Sequence, residues 1–450
     1  MNTTYDVIVI GTGVAGSTVA AKAQKAGLEV AIVDERPFGG TCPQRGCDPK
    51  KVMTGISRIV DDARRVKGLG LDGEVSLNWK DLLAFKNEFT EPIPQGTEDK
   101  FQRLGIKQYH GTATFLDPHT LKIGEENVTA KYIVIATGAK PADLPFEGAD
   151  HLISSDQFFE MEQLPDRLMF VGGGYISFEF AQLAARLGKE VLIIHRGRNV
   201  LENHDFEMTN KLIEHTKDLG VEIHTNTEVT KITKLDGGYK IDVKKFNHEH
   251  AMKADMVFHG AGRTPNIDHL GLENAGIEYS NKGIKVNENQ QSVPHQHIYA
   301  AGDCADTGLP PLTPTAGAEA ARLTSHLLHG ENQEAFQKPV PSIVFTYPAL
   351  GSVGLSQQEA RDNHIPYEAE SKTITKFFTY QRTKEPGAYA RILMNPSTGQ
   401  IIGAHFLSSE AEHLVNLFAL AIQQGLTKDD LTSVLWGYPT AESDIPSFFS

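Results

Sequence analysis

The sequence is poor in cysteine, carries more acidic than basic residues, and has no long apolar run. Three cysteines in 450 residues are too few for a secreted fold held together by disulfide bonds. The formal net charge of −14 at pH 7 argues against nucleic acid or an anionic membrane as the main partner. No run of about 18 apolar residues is present, so the sequence predicts no membrane span. We therefore expect a soluble cytoplasmic protein.

The length and composition are those of a globular protein with two or three domains. Hydrophobic residues make up 40% of the chain and charged residues 22%. The apolar N-terminal stretch "MNTTYDVIVIGTGVAG" lacks the basic start of a signal peptide, and its glycines follow the spacing of a folded motif. We therefore interpret this stretch as part of the folded protein.

Two segments, residues 5–35 and 168–195, each predict a strand, a glycine-rich turn, a helix and a second strand. Such units build parallel sheets covered by helices. Towards the C-terminus the pattern changes to antiparallel strands and one amphipathic helix. We predict an α/β fold with two doubly wound, Rossmann-like nucleotide-binding domains and a C-terminal α+β domain. The expected domains are 1–145 together with 267–335, then 146–266, and finally 336–450.

The first of these units carries Gly11, Gly13 and Gly16, which have the spacing of a dinucleotide-binding turn. Glycine is needed because the backbone bends sharply, approaches a pyrophosphate, and lets the helix pack closely on the strand. The helix N-terminus then offers N–H groups to the phosphates. Asp34 ends the next strand and can accept hydrogen bonds from ribose hydroxyls. The pattern predicts a dinucleotide site, and the alternative is a glycine-rich turn that only permits close packing.

The second unit has Gly172 and Gly174, with Ser177 in the third position of the motif. Serine is small enough to keep the helix near the sheet. No acidic residue follows the second strand, and Arg196 and Arg198 occur there instead. Because arginine can pair with the 2′-phosphate of NADPH, we favour NADPH over NADH. The alternative is a solvated basic turn.

Cys42 and Cys47 lie in the segment "GGTCPQRGCDPKK". A zinc site would need a second pair of ligands with similar spacing, which the sequence lacks, so no metal is expected. A structural disulfide is uncommon in a cytosolic chain. A redox pair fits best, because the helix expected from about Pro49 would stabilise nearby thiolates.

This segment resembles the redox signature of the FAD-dependent pyridine nucleotide–disulfide reductases, which include glutathione reductase, dihydrolipoamide dehydrogenase and mercuric reductase. Essentially the whole chain shares the resemblance, because further signatures follow in family order: "GTGVAG", "ATGAKP", "GGGYISFE", "GAGRTPN", "YAAGDCAD" and "LTPTAGAEA". The resemblance implies an FAD domain, an NAD(P)H domain and a C-terminal interface domain. It also implies a homodimer whose active site is shared across the interface.

By this resemblance the first nucleotide site binds FAD, with Asp34 on the adenosine ribose and Asp303 on the ribityl chain. Thr313 would lie near the flavin pyrimidine. The third cysteine, Cys304, is interpreted as buried packing. Further cofactor-binding positions implied by the resemblance are Gly40, Thr41, Thr137, Gly138, Gly302, Gly262 and Arg263.

The resemblance also implies catalytic roles. Cys47 would exchange electrons with the flavin, and Cys42 would attack the substrate. Lys50 would pair with Glu179 beside the flavin, and Tyr175 would gate the nicotinamide pocket. Without the resemblance, Lys50 would be a helix-stabilising residue, Glu179 a solvated one and Tyr175 a core one.

The C-terminal segment "WGYPTAESDIPSFFS" departs from the family pattern. Disulfide reductases of this family typically have a proton-transferring His–Glu pair here, whereas Tyr438 and Ser443 stand at those positions. A tyrosine has an ordinary pKa near 10 against about 6.5 for histidine, so using it as a base at pH 7 would cost about 4 kcal/mol. We expect Tyr438 to donate a hydrogen bond or act as an acid. The first helix also has only Lys22 and Lys25 where glutathione reductases carry arginine.

The expected reaction passes a hydride from NADPH to FAD, then electrons to the Cys42–Cys47 disulfide, and finally to a small oxidised substrate. A thiol-reactive oxidant such as hypothiocyanite would suit the missing His–Glu pair. The first alternative is a glutathione reductase or a reductase of a similar low-molecular-weight thiol. The second is a quinone or metal-ion reductase that bypasses the cysteines, although the chain lacks the C-terminal cysteine pair of mercuric reductases. The third is a flavin-bearing interaction protein without catalysis.

Overall fold

The computed structural model describes residues 3–334, 336 and 338–450. These residues form two compact units, each assembled from three separate stretches of the chain. The first unit comprises Met1–Lys50, Phe85–Ala142 and Arg263–Gln337. The second unit comprises Lys51–Ala84, Asp143–Gly262 and Lys338–Ser450.

The first unit is centred on a sheet whose middle strands are parallel. Thr3–Ile10 lies between Val30–Asp34 and Glu126–Ile135 and pairs with both in parallel. Its central residues are fully buried, as expected for a strand covered on both faces. The C-terminal part of Glu126–Ile135 also pairs in parallel with Ile298–Ala300. The carboxyl ends of these four strands therefore meet at one edge, where open α/β sheets bind ligands.

Other strands of this unit are Lys107–His110, Ala113–Asp117, Thr120–Ile123, Ala139–Pro141, Arg263–Pro265, Tyr279–Ser280, Gly283–Lys285 and Ala305–Asp306. Its helices are Val14–Lys25, Thr41–Arg45, Ile93–Leu104 and Thr313–His329, with the 3-10 helix Leu272–Ala275. Two further helices, Cys47–Arg65 and Trp79–Thr90, contain residues of both units. The helix Val14–Lys25 buries mostly small residues, which allows its backbone to lie close to the sheet.

The second unit combines a parallel sheet with antiparallel ones. The parallel sheet has the strand order Val221–His224, Glu190–Ile194, Arg167–Val171, Met256–His259. A three-stranded antiparallel sheet is formed by Thr227–Leu235, Gly238–Lys245 and His248–Ala254. A five-stranded antiparallel sheet has the order Ser342–Val344, Ala349–Gly354, Ile401–Ser408, Tyr389–Met394, Glu368–Thr373.

The helices of the second unit are Ser155–Phe158, Tyr175–Arg186, Phe206–Asp218, Gln357–Asp362, Phe378–Gln381, Ala411–Gln423, Lys428–Ser433 and Ile445–Phe448. Short 3-10 helices occupy Ala149–His151 and Glu442–Asp444. Within the part of the chain that the structure describes, no helix combines the length and apolarity needed to cross a bilayer.

The predicted α/β class is confirmed, since each glycine-rich segment folds as strand, turn, helix and parallel strand. The predicted antiparallel strands of the C-terminal region are also confirmed. The second unit holds both the second nucleotide-binding segment and the C-terminal region. It also takes up residues 51–84, and the four domain boundaries stay a prediction.

Candidate active site

The first glycine-rich turn is closely packed on the side of the sheet and open in front of the helix. A Cβ on Gly11 would lie 2.2 Å from the carbonyl oxygen of Ala136, and one on Gly16 would lie 2.0 Å from that of Gly11. A Cβ on Gly13 would meet no atom within 4 Å. Gly13 is also the N-cap of the helix Val14–Lys25 and provides no capping side chain. This open cradle before a helix N-terminus fits the pyrophosphate of a dinucleotide.

Asp34 holds this turn in place. Its Oδ2 accepts hydrogen bonds from the backbone N–H of Thr12, at 2.8 Å, and from the Thr12 hydroxyl, at 2.6 Å. The Thr12 hydroxyl in turn accepts from the Gly39 N–H at 3.0 Å. A Cβ on Gly40 would lie 2.4 Å from the Cα of Gly13, so the two loops touch. Thr12 joins the predicted ribose ligand Asp34 to the redox segment, and no motif in the sequence marks Thr12.

The turn after strand Ile298–Ala300 places Asp303 at the same edge of the sheet. Burial raises the pKa of the Asp303 carboxyl, and the positive charge of Arg263 opposes that rise. A guanidinium N–H of Arg263 donates to the carbonyl oxygen of Ala139, where strands Ala139–Pro141 and Arg263–Pro265 pair. The structure thus brings an acidic turn with a nearby arginine to the edge that carries the glycine cradle.

The two cysteines flank a break between two helices. Cys42 lies in the short helix Thr41–Arg45, and Cys47 begins the long helix Cys47–Arg65. The Thr313 hydroxyl lies 3.4 Å from the Cys42 Sγ and 3.6 Å from the Cys47 Sγ. Thr313, which the resemblance predicts near the flavin, also contacts both sulfurs, and no motif in the sequence indicates that contact. The cysteines are free thiols in this structure.

The electrostatics of the pair separate the roles of the two sulfurs. The hydrogen bond from Cys42 lowers the pKa of the Cys47 thiol to about 6, and Thr313 and the positive charge of Lys50 act in the same direction. Burial and the Asp48 carboxylate oppose this effect. The hydrogen bond with Cys47 and burial raise the pKa of the Cys42 thiol well above its ordinary value. In the reduced pair, Cys47 therefore carries the negative charge and Cys42 the proton.

The second glycine-rich turn is closed by a serine. A Cβ on Gly172 would lie 2.3 Å from the carbonyl oxygen of Gly260. The Ser177 hydroxyl donates to the Gly172 carbonyl at 2.6 Å, so the hydroxyl ties the turn to the helix Tyr175–Arg186. Gly174 is the N-cap of that helix and has no capping side chain. This turn also presents a helix N-terminus suited to phosphate.

Arg196 and Arg198 follow strand Glu190–Ile194 and are exposed. Among the residues that the structure describes, neither guanidinium has an ion pair, so both charges are available to an anion. The neighbouring His195 accepts a hydrogen bond at Nδ1 from the Gly173 N–H at 3.1 Å. The end of the strand and the glycine turn are therefore joined by a hydrogen bond.

Glu179 and Lys50 are both buried. The Glu179 Oε1 accepts a hydrogen bond from the Phe345 N–H at 2.7 Å. Lys50 belongs to the first unit and Glu179 to the second, and their pairing stays a prediction. Tyr175, at the start of its helix, exposes 46% of its surface, so the alternative interpretation of Tyr175 as a core residue is wrong.

The Tyr438 side chain is exposed, and the backbone at Gly262 is not closely packed. Tyr438 exposes 77% of its surface in a loop that follows the helix Lys428–Ser433. The Ser443 hydroxyl donates to the Thr440 carbonyl oxygen at 2.6 Å. A Cβ on Gly262 would meet nothing within 4 Å.

Comparison with known proteins agrees with this geometry. A family model described as pyridine nucleotide-disulphide oxidoreductase matches residues 5–320. A second model, for the dimerisation domain of the same family, matches residues 340–447. The chain belongs to this family.

Several curated members of the family are similar along nearly their whole length. A glutathione reductase of Burkholderia cepacia is 31% identical and aligns over 97% of this chain and 96% of its own. A glutathione reductase of a Nostoc species is 29% identical, over 98% of both chains. A dihydrolipoyl dehydrogenase of Staphylococcus aureus is 29% identical, over 97% of this chain and 94% of its own.

These matches confirm the resemblance found in the sequence. The protein is an oxidoreductase acting on sulfur groups, and its family uses FAD and a pyridine nucleotide. The C-terminal region is the dimerisation domain of the family, which supports a homodimer. The choice between NADPH and NADH and the individual site residues stay predictions.

Proposed function

We propose that this chain is an NADPH-dependent disulfide reductase whose Cys42–Cys47 pair reduces a small disulfide of the glutathione type. The observation that carries the proposal is the pair of free thiols beside one hydroxyl, with the Thr313 Oγ1 lying 3.4 Å from the Cys42 Sγ and 3.6 Å from the Cys47 Sγ. Bound FAD would supply two-electron transfer between the nicotinamide and the cysteine disulfide. The residues of the chain supply the sulfur chemistry.

In the proposed reaction, the Cys42 proton moves along its hydrogen bond to the Cys47 sulfur, which leaves a thiolate on Cys42. This thiolate attacks one sulfur of the substrate disulfide, and the other sulfur leaves as a thiolate that takes up the proton now held by Cys47. The Cys47 thiolate then attacks the Cys42 sulfur. The internal disulfide forms, and the second half of the substrate leaves as a thiolate that takes up a proton from the solvent.

Thr313 supports this proposal in a chain that lacks the family's His–Glu pair. Its hydroxyl is within hydrogen-bond distance of both sulfurs, so it can stabilise a thiolate on either one. A nearby donor of this kind reduces the need for an external base. Tyr438 would act as a hydrogen-bond donor to the substrate from the partner subunit.

The coenzyme and substrate assignments rest on further residues. The exposed Arg196 and Arg198 support binding of a 2′-phosphate, hence of NADPH. The names of the similar proteins support a disulfide substrate and give no support to hypothiocyanite. A cytoplasmic location would agree with reduced cysteines.

The test reduces the purified enzyme with NADPH without oxygen, adds glutathione disulfide, and measures the thiol released. The wild type should release two thiols per NADPH, and Cys42→Ser should release none while its flavin is still reduced. Cys304→Ser is the matched control, because the Cys304 thiol is fully buried and donates to the Ile135 and Ala301 carbonyl oxygens. Activity retained by Cys42→Ser would support a quinone or metal reductase that bypasses the cysteines. Rapid reduction of hypothiocyanite with no reduction of glutathione disulfide would reassign the substrate.

A further inference from the structure

Glu319 is a buried acid beneath the turn that carries Asp303. Only 1% of its surface is exposed, although the helix that holds it, Thr313–His329, borders solvent. The Glu319 Oε2 accepts a hydrogen bond from the Gly302 N–H at 2.7 Å. The Glu319 Oε1 accepts one from the Thr307 hydroxyl, also at 2.7 Å. A single carboxylate thus clamps both ends of the turn from residue 302 to residue 307.

The clamp extends to the segment that leads to the thiol pair. The Thr307 hydroxyl accepts a hydrogen bond from the Leu309 N–H at 3.4 Å. The chain then continues through Leu312, the N-cap of the helix, to Thr313, whose hydroxyl lies beside both cysteine sulfurs. The same carboxylate therefore organises the Asp303 turn and the approach to Thr313.

Burying a carboxylate here costs the folded protein free energy, which indicates that the carboxylate has a role. Burial raises the pKa of the Glu319 carboxyl, and the neighbouring negative charge of Asp303 adds to the rise. The two donated hydrogen bonds and the charge of Arg322 oppose it. A glutamine or an apolar residue would avoid the desolvation of a charge. Buried titratable groups with shifted pKa values cluster at functional sites, so the burial of Glu319 favours a functional role.

We propose that Glu319 is a positioning residue of the flavin site, which holds the Gly302 N–H and the Asp303 carboxylate in the geometry that binds the FAD ribityl chain. This inference rests on the proposed assignment of FAD to the first nucleotide site. Glu319 acts through the turn and does not itself touch the cofactor. The backbone of Gly302 supports the role, because its φ of +78° lies in the left-handed region that favours glycine, and the hydrogen bond to Glu319 holds the N–H of this conformation.

The experiment compares FAD affinity with protein stability. Apoproteins of Glu319→Ala and Glu319→Gln are titrated with FAD, and binding is followed by the quenching of flavin fluorescence. The unfolding temperature of each apoprotein is measured in parallel. Glu385→Gln is the matched control, because Glu385 is also buried, at 4% exposure, and accepts a hydrogen bond from the Ser409 N–H at 2.6 Å in the second unit. Asp303→Ala is the reference for loss of a direct ligand.

We expect Glu319→Ala to raise the FAD dissociation constant about 10- to 100-fold, since it removes two hydrogen bonds to a charged acceptor. Glu319→Gln should lie between Glu319→Ala and wild type, because its amide oxygen can still accept from Gly302. Glu385→Gln should lower the unfolding temperature and leave FAD affinity unchanged.

Two outcomes would overturn the proposal, and they can be told apart. If Asp303→Ala weakens FAD binding but Glu319→Ala and Glu319→Gln bind FAD as wild type does, Glu319 is only structural. If Asp303→Ala also binds FAD normally, the flavin assignment itself is wrong. Should Glu319→Ala fail to fold, the affinity of Glu319→Gln decides: a value equal to wild type contradicts the role, and a weaker one supports it.

Discussion

Thr313 shows how one hydroxyl can set the chemistry of two sulfurs. Its Oγ1 lies 3.4 Å from the Cys42 Sγ and 3.6 Å from the Cys47 Sγ, and it lowers the pKa of the Cys47 thiol. A hydrogen bond to a charged group stabilises the charged form, so losing the bond must raise the pKa. The pKa of the Cys47 thiol in the reduced pair therefore depends on Thr313, a residue outside the cysteine segment.

Thr313→Val is expected to raise the pKa of the Cys47 thiol by about one unit, since a hydrogen bond to a charged group contributes about 1.5 kcal/mol. The measurement is a pH titration of the long-wavelength absorbance that a thiolate gives beside oxidised flavin. Thr315→Val is the matched control on the same helix, because the buried Thr315 hydroxyl has no hydrogen-bond partner within the described residues. An unchanged titration in Thr313→Val would contradict the stabilising role.

The two exposed arginines give a second prediction at the residue scale. Arg196→Ala and Arg198→Ala should each raise the KM for NADPH about tenfold, because each removes a charge-assisted hydrogen bond to the 2′-phosphate. NADH lacks that phosphate, so its KM in the same variants should stay within a factor of about two and serves as the control. Equal effects on both coenzymes would place the arginines outside the phosphate site.

At the scale of elements, the start of the helix Phe206–Asp218 is fixed by a buried ion pair. Asp205 accepts from the Glu207 and Met208 N–H groups as an N-cap. Both of its oxygens also accept from one guanidinium nitrogen of Arg391, at 2.8 Å, and the two side chains expose only 3% and 7% of their surface. This pair joins the helix to the strand Tyr389–Met394, so it links the helix to the five-stranded sheet of the second unit.

Asp205→Ala should therefore destabilise the protein far more than the loss of a cap alone. Removing one partner of a buried ion pair costs about 3–5 kcal/mol, and we expect the lower end of this range because Arg391 keeps its ion pair with Glu207. Ser356→Ala is the matched control: Ser356 caps the surface helix Gln357–Asp362 with a capping box, and its loss should cost about 1 kcal/mol. The midpoints of denaturant unfolding measure both. A similar shift in the two variants would mean that the Arg391 pair contributes nothing.

The sequence predicted the elements better than the contacts between them. The strand and helix periods and the glycine spacing identified both strand–turn–helix units, because these are local patterns. The Asp205–Arg391 pair could not be read in this way, since its members are 186 residues apart. Thr12, Thr313 and Glu319 act through hydrogen bonds that depend on how separate loops meet, and no short pattern records that. Ser177 was the exception, because its place in the motif already marked it.

For the whole molecule, composition and order of motifs were enough to indicate the family. They did not predict how the residues group into compact units, because residues 51–84 pack with stretches far along the chain in the second unit. Their core contacts join Met53 and Leu82 to Phe158, Phe178 and other residues of that unit. Such a cluster forms only when the fold is complete, so hydropathy along the chain cannot reveal it.

The dimerisation domain carries the last prediction. Leu435 is almost fully exposed, at 99%, in a segment matched by the family's dimerisation model, and Val434 and Tyr438 beside it are also exposed. Apolar side chains of this kind are usually covered in an assembly. We infer that Leu435 packs against the partner subunit.

Leu435→Glu should weaken the homodimer about tenfold or more, because a buried interface leucine would become a charge that must be desolvated. Sedimentation velocity over a range of protein concentrations measures the dimer fraction, and Leu235→Glu is the matched control, since Leu235 is exposed in a hairpin outside residues 340–447. If the active site is shared between subunits, disulfide reductase activity of Leu435→Glu should fall on dilution together with the dimer and return on concentration. An unchanged dimer would exclude Leu435 from the interface, whereas an active monomer would show that Tyr438 of the partner subunit is dispensable.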